Sequence, residues 1–145
     1  MSIEQNKAVV RRIYEELWDG RKLEVADEII AEGGVNYDTG LVPGPFGPEE
    51  MKGTVRMVTA AFPDNRHEVE DIFAEGDQVM ARVTLTGTHE GNFMGIPPTN
   101  KDVVMGGITI LRLRDGRFIE RWQNADLMGL MTQLGAIPAP ESAEA

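Results

Sequence analysis

Near the end of the chain, residues Arg121 to Asp126 read RWQNAD. Read as a strand, this stretch sends Trp122, Asn124 and Asp126 to one face, because strand side chains alternate with a period of two. An indole in the middle of that face argues that the face is buried or lines a cavity. A carboxylate placed there loses solvation, its pKa rises, and it becomes able to move protons near neutral pH. Asp126 is therefore a candidate general acid or base, with Asn124 beside it to orient a carbonyl or a water. The other reading of Asp126 is an N-cap for the helix suggested by the following LMGLM. The two readings are not exclusive.

Other residues have chemistry to offer. Tyr14 falls on an apolar helical stripe, where a tyrosine packs in the core and its hydroxyl finds a partner. Asn36 and Tyr37 alternate on a short strand, so one of them faces inward. His89, in GTHEG at a strand end, suits polarising a carbonyl, passing on a proton, or anchoring a loop through the backbone. His67, at a strand start, reads as structural or exposed. Met51, Val55, Val58, Phe62, Phe93, Met94 and Ile96 read as apolar walls, most of them ordinary core. With two histidines, no cysteine and no His-x-His or His-x-x-x-His, no transition-metal site of usual spacing is apparent. Phosphate-loop, dinucleotide and Gly-x-Ser-x-Gly signatures are also missing. The expectation is a site that uses neither metal nor cofactor.

These residues need elements to position them. The opening SIEQNKAVVRRIYEELWDG predicts a helix: Ser2 and Gln5 have capping-box spacing, and Val9, Val10, Ile13, Tyr14, Leu17 and Trp18 make one stripe. Gly20 stops it. A shorter helix is expected from Leu23 to Ile30, broken by Gly33 and Gly34, then a short strand from Val35 to Asp38. TGLVPGPFGP predicts a loop suited to covering a pocket. Pro48, followed by two acids, opens a third helix ending near Phe62. From Arg66 the pattern is that of strands: RHEVEDIFA and QVMARVTLTGTHEG flank a hairpin at EGD, NFMGIPPTNK is a loop, and DVVMGGITILRLR and RFIERWQNAD flank the Asp115-Gly116 hairpin. Gly106-Gly107 suggests a bulge or sharp coil. A short helix, LMGLMTQLG, closes the fold. Helices first and an antiparallel meander afterwards is an α+β order. Long strands coil, and a coiled sheet with helices on its concave side encloses a cone-shaped cavity for a ligand.

The chain has 145 residues, 41% hydrophobic and 26% charged, which suits one domain able to bury its own core. The division expected is a single domain over residues 1–136 and a flexible tail over 137–145. A formal net charge of −10 argues against nucleic acid or an anionic membrane as partner. No apolar run is long enough to span a bilayer and the N-terminus lacks a signal-peptide core, so a cytoplasmic protein is expected.

The segments AFPDNRHEVEDIFAEGDQVMARVTLTGTHEGNFMGIPPTNKDV and GITILRLRDGRFIERWQNADLMGLMTQLG, with the opening helix, resemble the SnoaL-like polyketide cyclases of the nuclear-transport-factor-2-like superfamily. The resemblance covers residues 3–136. FPD after the third helix, GTHEGNFMGIPPT, and the Trp-x-x-x-Asp before LMTQLG are its most specific parts. It implies a cone-shaped curved antiparallel sheet packed on N-terminal helices. It also implies Asp126 as acid/base and His89 bordering the pocket, with Tyr14 among the ligand contacts. The candidate catalytic pair is thus Asp126 and His89, and the candidate substrate contacts are Tyr14, Asn36, Met51, Phe62, Phe93, Trp122 and Asn124. The family often has His where this chain has Arg121, and Gly where it has Asn100. By alternation from Trp122, Arg121 is expected to face away from the pocket. The implied reaction is aldol-type cyclisation of a hydrophobic, carbonyl-bearing small molecule. The superfamily also implies isomerases, epoxide hydrolases, dehydratases and non-catalytic binding modules, and fold alone does not choose among them. A homodimer through the convex sheet face, using Arg82, Thr84, Thr86 and Arg112, is expected as well.

Overall fold

The structure, a computed structural model, describes residues 1–37 and 44–139. Helix α1 (Ile3–Arg12) starts where the capping spacing places it. Ser2 Oγ accepts the Gln5 N–H at 3.1 Å, and Gln5 Oε1 accepts the Ser2 N–H at 2.8 Å. The helix then widens into a π-helical segment, Ile13–Trp18, whose Ile13, Tyr14, Leu17 and Trp18 are all buried. Such wide turns recur at functional sites, and this one carries Tyr14 and Trp18 into the interior. Gly20 ends it in tight quarters, since a Cβ there would lie 2.6 Å from the Glu16 carbonyl oxygen.

Helix α2 is only Val25–Ile29, and Ile30 already belongs to strand β1 (Ile30–Asn36). The expected helix thus ends earlier and the strand begins earlier than the sequence pattern suggests. Val25, Ala26, Ile29 and Ile30 satisfy a helical stripe up to the junction, and Ile30 is where the backbone becomes extended. Strand β2 (Gly44–Pro45) is a two-residue piece paired with β1. Residues 39–43 of the expected pocket-covering loop (39–48), the strand end at Asp38 and most of the C-terminal tail lie outside the described residues. Helix α3 (Pro48–Ala61) opens on Pro48, with Glu49 and Glu50 in its first turn.

Four long strands follow: β3 (Arg66–Glu75), β4 (Gln78–Thr88), β5 (Asp102–Arg114) and β6 (Arg117–Ala125), before the closing helix α4 (Leu127–Gln133). The sheet order is β2-β1-β6-β5-β4-β3. Strands β3 to β6 form the antiparallel meander, while β1 joins β6 in parallel, so the sheet is mixed rather than wholly antiparallel. Asp115 and Gly116 both adopt positive φ (52° and 78°), as a type I′ hairpin requires. Gly106 and Gly107 do not bulge; they pair with Thr84 and Val83 in unbroken register. Register slips lie instead between β1 and β6, between β3 and β4 at Glu70 and, as the one that matters for the cavity, between β5 and β6. Arg112 pairs with Glu120 and Leu113 with Phe118, which leaves Ile119 without an opposite residue.

That slip decides which side chains enter the cone. Val79, Ala81, Val83 and Leu85 of β4, Leu111 and Leu113 of β5, and Phe118 of β6 are buried on the inner face. All of these but Leu85 share one core cluster with Val10, Leu17, Val55 and their neighbours on the helices. After Ile119 the parity of β6 changes, and Arg121, Gln123 and Ala125 take the inward positions opposite Leu111, Thr109 and Gly107. The outer face carries Phe73, Ile108 and Ile110, all exposed. The architecture is an α+β cone, and no described helix is long and apolar enough to cross a membrane.

Candidate active site

The cone holds a cavity of about 90 Å³ between the helices and the inner sheet face. Its walls are largely apolar: Ile13, Trp18, Phe46, Met51, Val58 and Phe118 among them. Polar groups enter from five elements: the π-helical segment brings Tyr14, helix α3 brings Thr54, strand β3 brings His67, strand β5 brings Thr109, and strand β6 brings Gln123 and Arg121.

The last three form a connected row with Tyr14. The Thr109 hydroxyl donates to Gln123 Oε1 at 3.1 Å, and the Arg121 guanidinium donates to the same oxygen. Thr109 also hydrogen-bonds Tyr14. Arg121 also reaches Asn36 Oδ1 at 3.4 Å and lies over the Phe46 ring, its Cζ 5.2 Å from the centroid. Burial pushes the Tyr14 phenol above its usual pKa, opposed by the Thr109 hydrogen bond and the Arg121 charge. Tyr14 therefore remains a neutral hydrogen-bond donor at ordinary pH. His67 sits on the other side of Tyr14, with ring centroids 5.9 Å apart, and 4.4 Å from the Trp18 ring. Burial, helped by the Arg21 charge, pushes the His67 imidazole down to about 3, so it is neutral at pH 7.

No carboxylate is found among the described residues that line the cavity. The arrangement is an apolar chamber with a cation, a phenol, a hydroxyl and an amide in a row. In such an apolar site, fixed donors interact strongly with an oxygen that gains negative charge. The row suits an enolate or alkoxide oxygen.

Several expected positions are corrected by this geometry. The face of β6 that bears Trp122, Asn124 and Asp126 is the outer one, because the bulge at Ile119 reverses the parity running from Phe118. Trp122 is half-buried there by Tyr37, stacked at 5.1 Å and 13°, and by Arg112, 5.9 Å from the ring centroid. Asn124 and Asp126 are exposed. Asp126 caps α4, its Oδ1 accepting the Gly129 N–H at 2.9 Å. Arg121, expected to face away, is a cavity residue. His89 is fully buried at the base of the β4–β5 loop rather than in the cavity. Its Nδ1 accepts the Thr99 N–H at 3.2 Å, and its backbone bonds Lys101 and Asn100. Phe62 and Phe93 pack with it, Phe62 lying 5.3 Å from each ring, as core and not as cavity lining. Asn36 is buried and touches the site through Arg121. Tyr14 and Met51 do line the cavity. The sequence reading missed His67, Thr109, Gln123 and Arg121. His67 was legible: in β3 it pairs with the inward Leu85 of β4.

The model of the SnoaL-like polyketide cyclase family matches residues 8–134. The aklanonic acid methyl ester cyclase DauD of Streptomyces sp. (strain C5) is 31% identical over 92% of this chain and 84% of its own length. A solved SnoaL-like polyketide cyclase from Jannaschia sp. CCS1 superposes with a TM-score of 0.83 at 29% identity, covering 94% of this chain and 95% of that one. AclR from Streptomyces galilaeus, named as a candidate hydroxylase, gives 0.84 at 29% identity over 97% and 87%. Agreement over nearly the whole length, in sequence and in shape, settles that the chain belongs to the SnoaL-like polyketide cyclase family.

Proposed function

We propose that this protein closes a ring in a polyketide by an aldol-type reaction, without a cofactor. One carbon–hydrogen bond next to a carbonyl breaks, the enolate attacks a second carbonyl of the same molecule, and the new alkoxide is protonated. The observation that carries the reading is the row Tyr14–Thr109–Gln123–Arg121 on one wall of an apolar chamber. Negative charge appears first on the enolate oxygen and then on the alkoxide, and Arg121 and Tyr14 are placed to stabilise it. The apolar walls hold the chain folded for attack, which turns a flexible approach into a positioned one.

The substrate class follows from the same walls. A neutral ester enters an apolar chamber more readily than a free carboxylate, and DauD is named for a methyl ester. Among the walls, the flexible Met51 and Met105 side chains are suited to adjusting around a multi-ring ligand. Aklanonic acid methyl ester is the test substrate. Incubation with the protein should give a product of unchanged mass with one more ring; unchanged starting material at high enzyme concentration would sink the reading.

A second copy of the chain is the partner proposed for the outer sheet face. Exposed Phe73, Ile108 and Ile110 support an apolar centre, with Arg82 and Thr84 beside it to supply polar contacts. Sedimentation at micromolar concentration should show twice the 16.0 kDa chain mass; a lone monomer would contradict it.

A further inference from the structure

We propose that His67 carries the proton in this reaction, and that Asp19 behind it positions and steadies the ring. The assignment rests on the cyclase reading above. His67 lines two spaces: the cavity, and a polar groove that is also lined by Asp19, Glu15 and Arg11. Its Nδ1 is sealed from solvent without a hydrogen-bond partner. Buried polar atoms are nearly always satisfied, so an unsatisfied one asks for an explanation. The nearest counter-group is Asp19, whose Oδ1 lies 3.7 Å from Nδ1 and accepts the His67 backbone N–H at 2.8 Å. A carboxylate there favours the tautomer with the proton on Nδ1. The lone pair is then on Nε2, which is not sealed in.

Nε2 takes the proton from the substrate carbon, and the electrons of that carbon–hydrogen bond become the enolate. The enolate carbon forms the new carbon–carbon bond, and the attacked carbonyl oxygen becomes an alkoxide. The same proton returns from Nε2 to that alkoxide, so proton and electron counts close without a further reactant. The imidazolium formed in between lies beside the Asp19 carboxylate. Desolvation keeps the resting imidazole neutral but weakens it as a base, and the Asp19 carboxylate 3.7 Å from Nδ1 is the group placed to offset that as the imidazolium forms. The other charged groups near its outer side are Arg11, Glu15 and Arg21 from the first helix and its end, and Arg66 and Glu68 on β3.

The test compares wild type, His67→Gln, His67→Ala and Asp19→Asn on aklanonic acid methyl ester, with rates normalised to folded protein by circular dichroism. Deuterium uptake at the substrate carbon in heavy water is followed beside ring closure. His67→Gln should lose roughly 100- to 10,000-fold in kcat, as loss of a general acid or base does, with KM little changed. Imidazole should restore part of the rate to His67→Ala, which a merely structural role would not allow. Asp19→Asn keeps an acceptor for the His67 N–H but removes the charge; it should lower kcat without raising KM and shift the acidic limb of the kcat profile. Wild-type turnover in His67→Gln, or His67→Ala without rescue, overturns the assignment and leaves the cyclase reading intact. Failure of wild type to cyclise overturns the cyclase reading itself, and the assignment with it.

Discussion

Replacing Asp126 separates two roles that one carboxylate can play. In the structure its Oδ1 holds the Gly129 N–H at 2.9 Å, one of the N–H groups that the first turn of a helix leaves unpaired. Helix α4 is otherwise well anchored. Leu130 and Leu134 are 1% and 3% exposed, and the Gln133 amide makes two 2.8 Å bonds to the Val104 backbone. Losing the cap therefore loosens one turn rather than undocking the helix. Asp126→Ala should cost about 1 kcal/mol, the usual value for a lost cap. For a chain of this size that lowers the melting temperature by roughly 3 °C. Asp126→Asn should cost at most a few tenths of a kcal/mol from the cap, since Asn caps about as well as Asp. A little more is lost with the charge at the helix N-terminus. Neither variant should change ring closure of aklanonic acid methyl ester by more than about threefold, because the carboxylate is outside the chamber. Scanning fluorimetry and chromatographic turnover assays measure both effects. A fall of ~100-fold or more in turnover for Asp126→Asn, with an unchanged melting temperature, would place the acid/base at Asp126. It would refute the assignment of the chemistry to the inner face.

Two further predictions follow from the buried titratable groups. The folded imidazole of His67 titrates near 3 and an unfolded one near 6.5. Between those values only the unfolded chain binds the proton, so stability is fully present above about 6.5 and falls as pH drops through the window. The slope contributed is at most ~1.4 kcal/mol per pH unit. Urea titrations from pH 7 to 5, above the main carboxylate range, should show the slope in wild type and lose it in His67→Gln; equal slopes would contradict a neutral buried imidazole. Tyr14→Phe should lower kcat with little change in KM and leave the alkaline side of the pH profile unchanged, since the phenol titrates above its usual range. An alkaline limb that disappears in the variant would count against it.

Much of the frame is visible in the residues. Ser2 and Gln5 mark the start of α1, Asp115-Gly116 marks the last hairpin, and alternation of Val79, Ala81, Val83 and Leu85 gives the inner face of β4. The site was harder to read for a specific reason. Alternation gives the parity of a strand but not which parity faces in, and one extra residue reverses it. At Ile119 that extra residue has no glycine to announce it, while the glycine pair at 106 and 107, which looks like a bulge, sits in regular register. Trp122 then pointed the wrong way, because an outer-face indole covered by Tyr37 and Arg112 looks the same in sequence as an inner one. His89 was legible as buried or loop-anchoring, but its choice between loop and cavity depends on the path of Glu90 and Gly91 against Ala61, which no local pattern contains.

The central claim is that Arg121 stabilises the charge that develops during ring closure. Steady-state kinetics of Arg121→Gln and Arg121→Lys on aklanonic acid methyl ester, alongside wild type, tests it most directly. Removing one oxyanion donor typically lowers kcat by roughly 100- to 1,000-fold, and Arg121→Gln should do so with KM changed far less. Arg121→Lys should recover part of the loss, because it restores charge but not the planar fork. Equal kcat values in wild type and Arg121→Gln, or a loss confined to KM, would contradict the account.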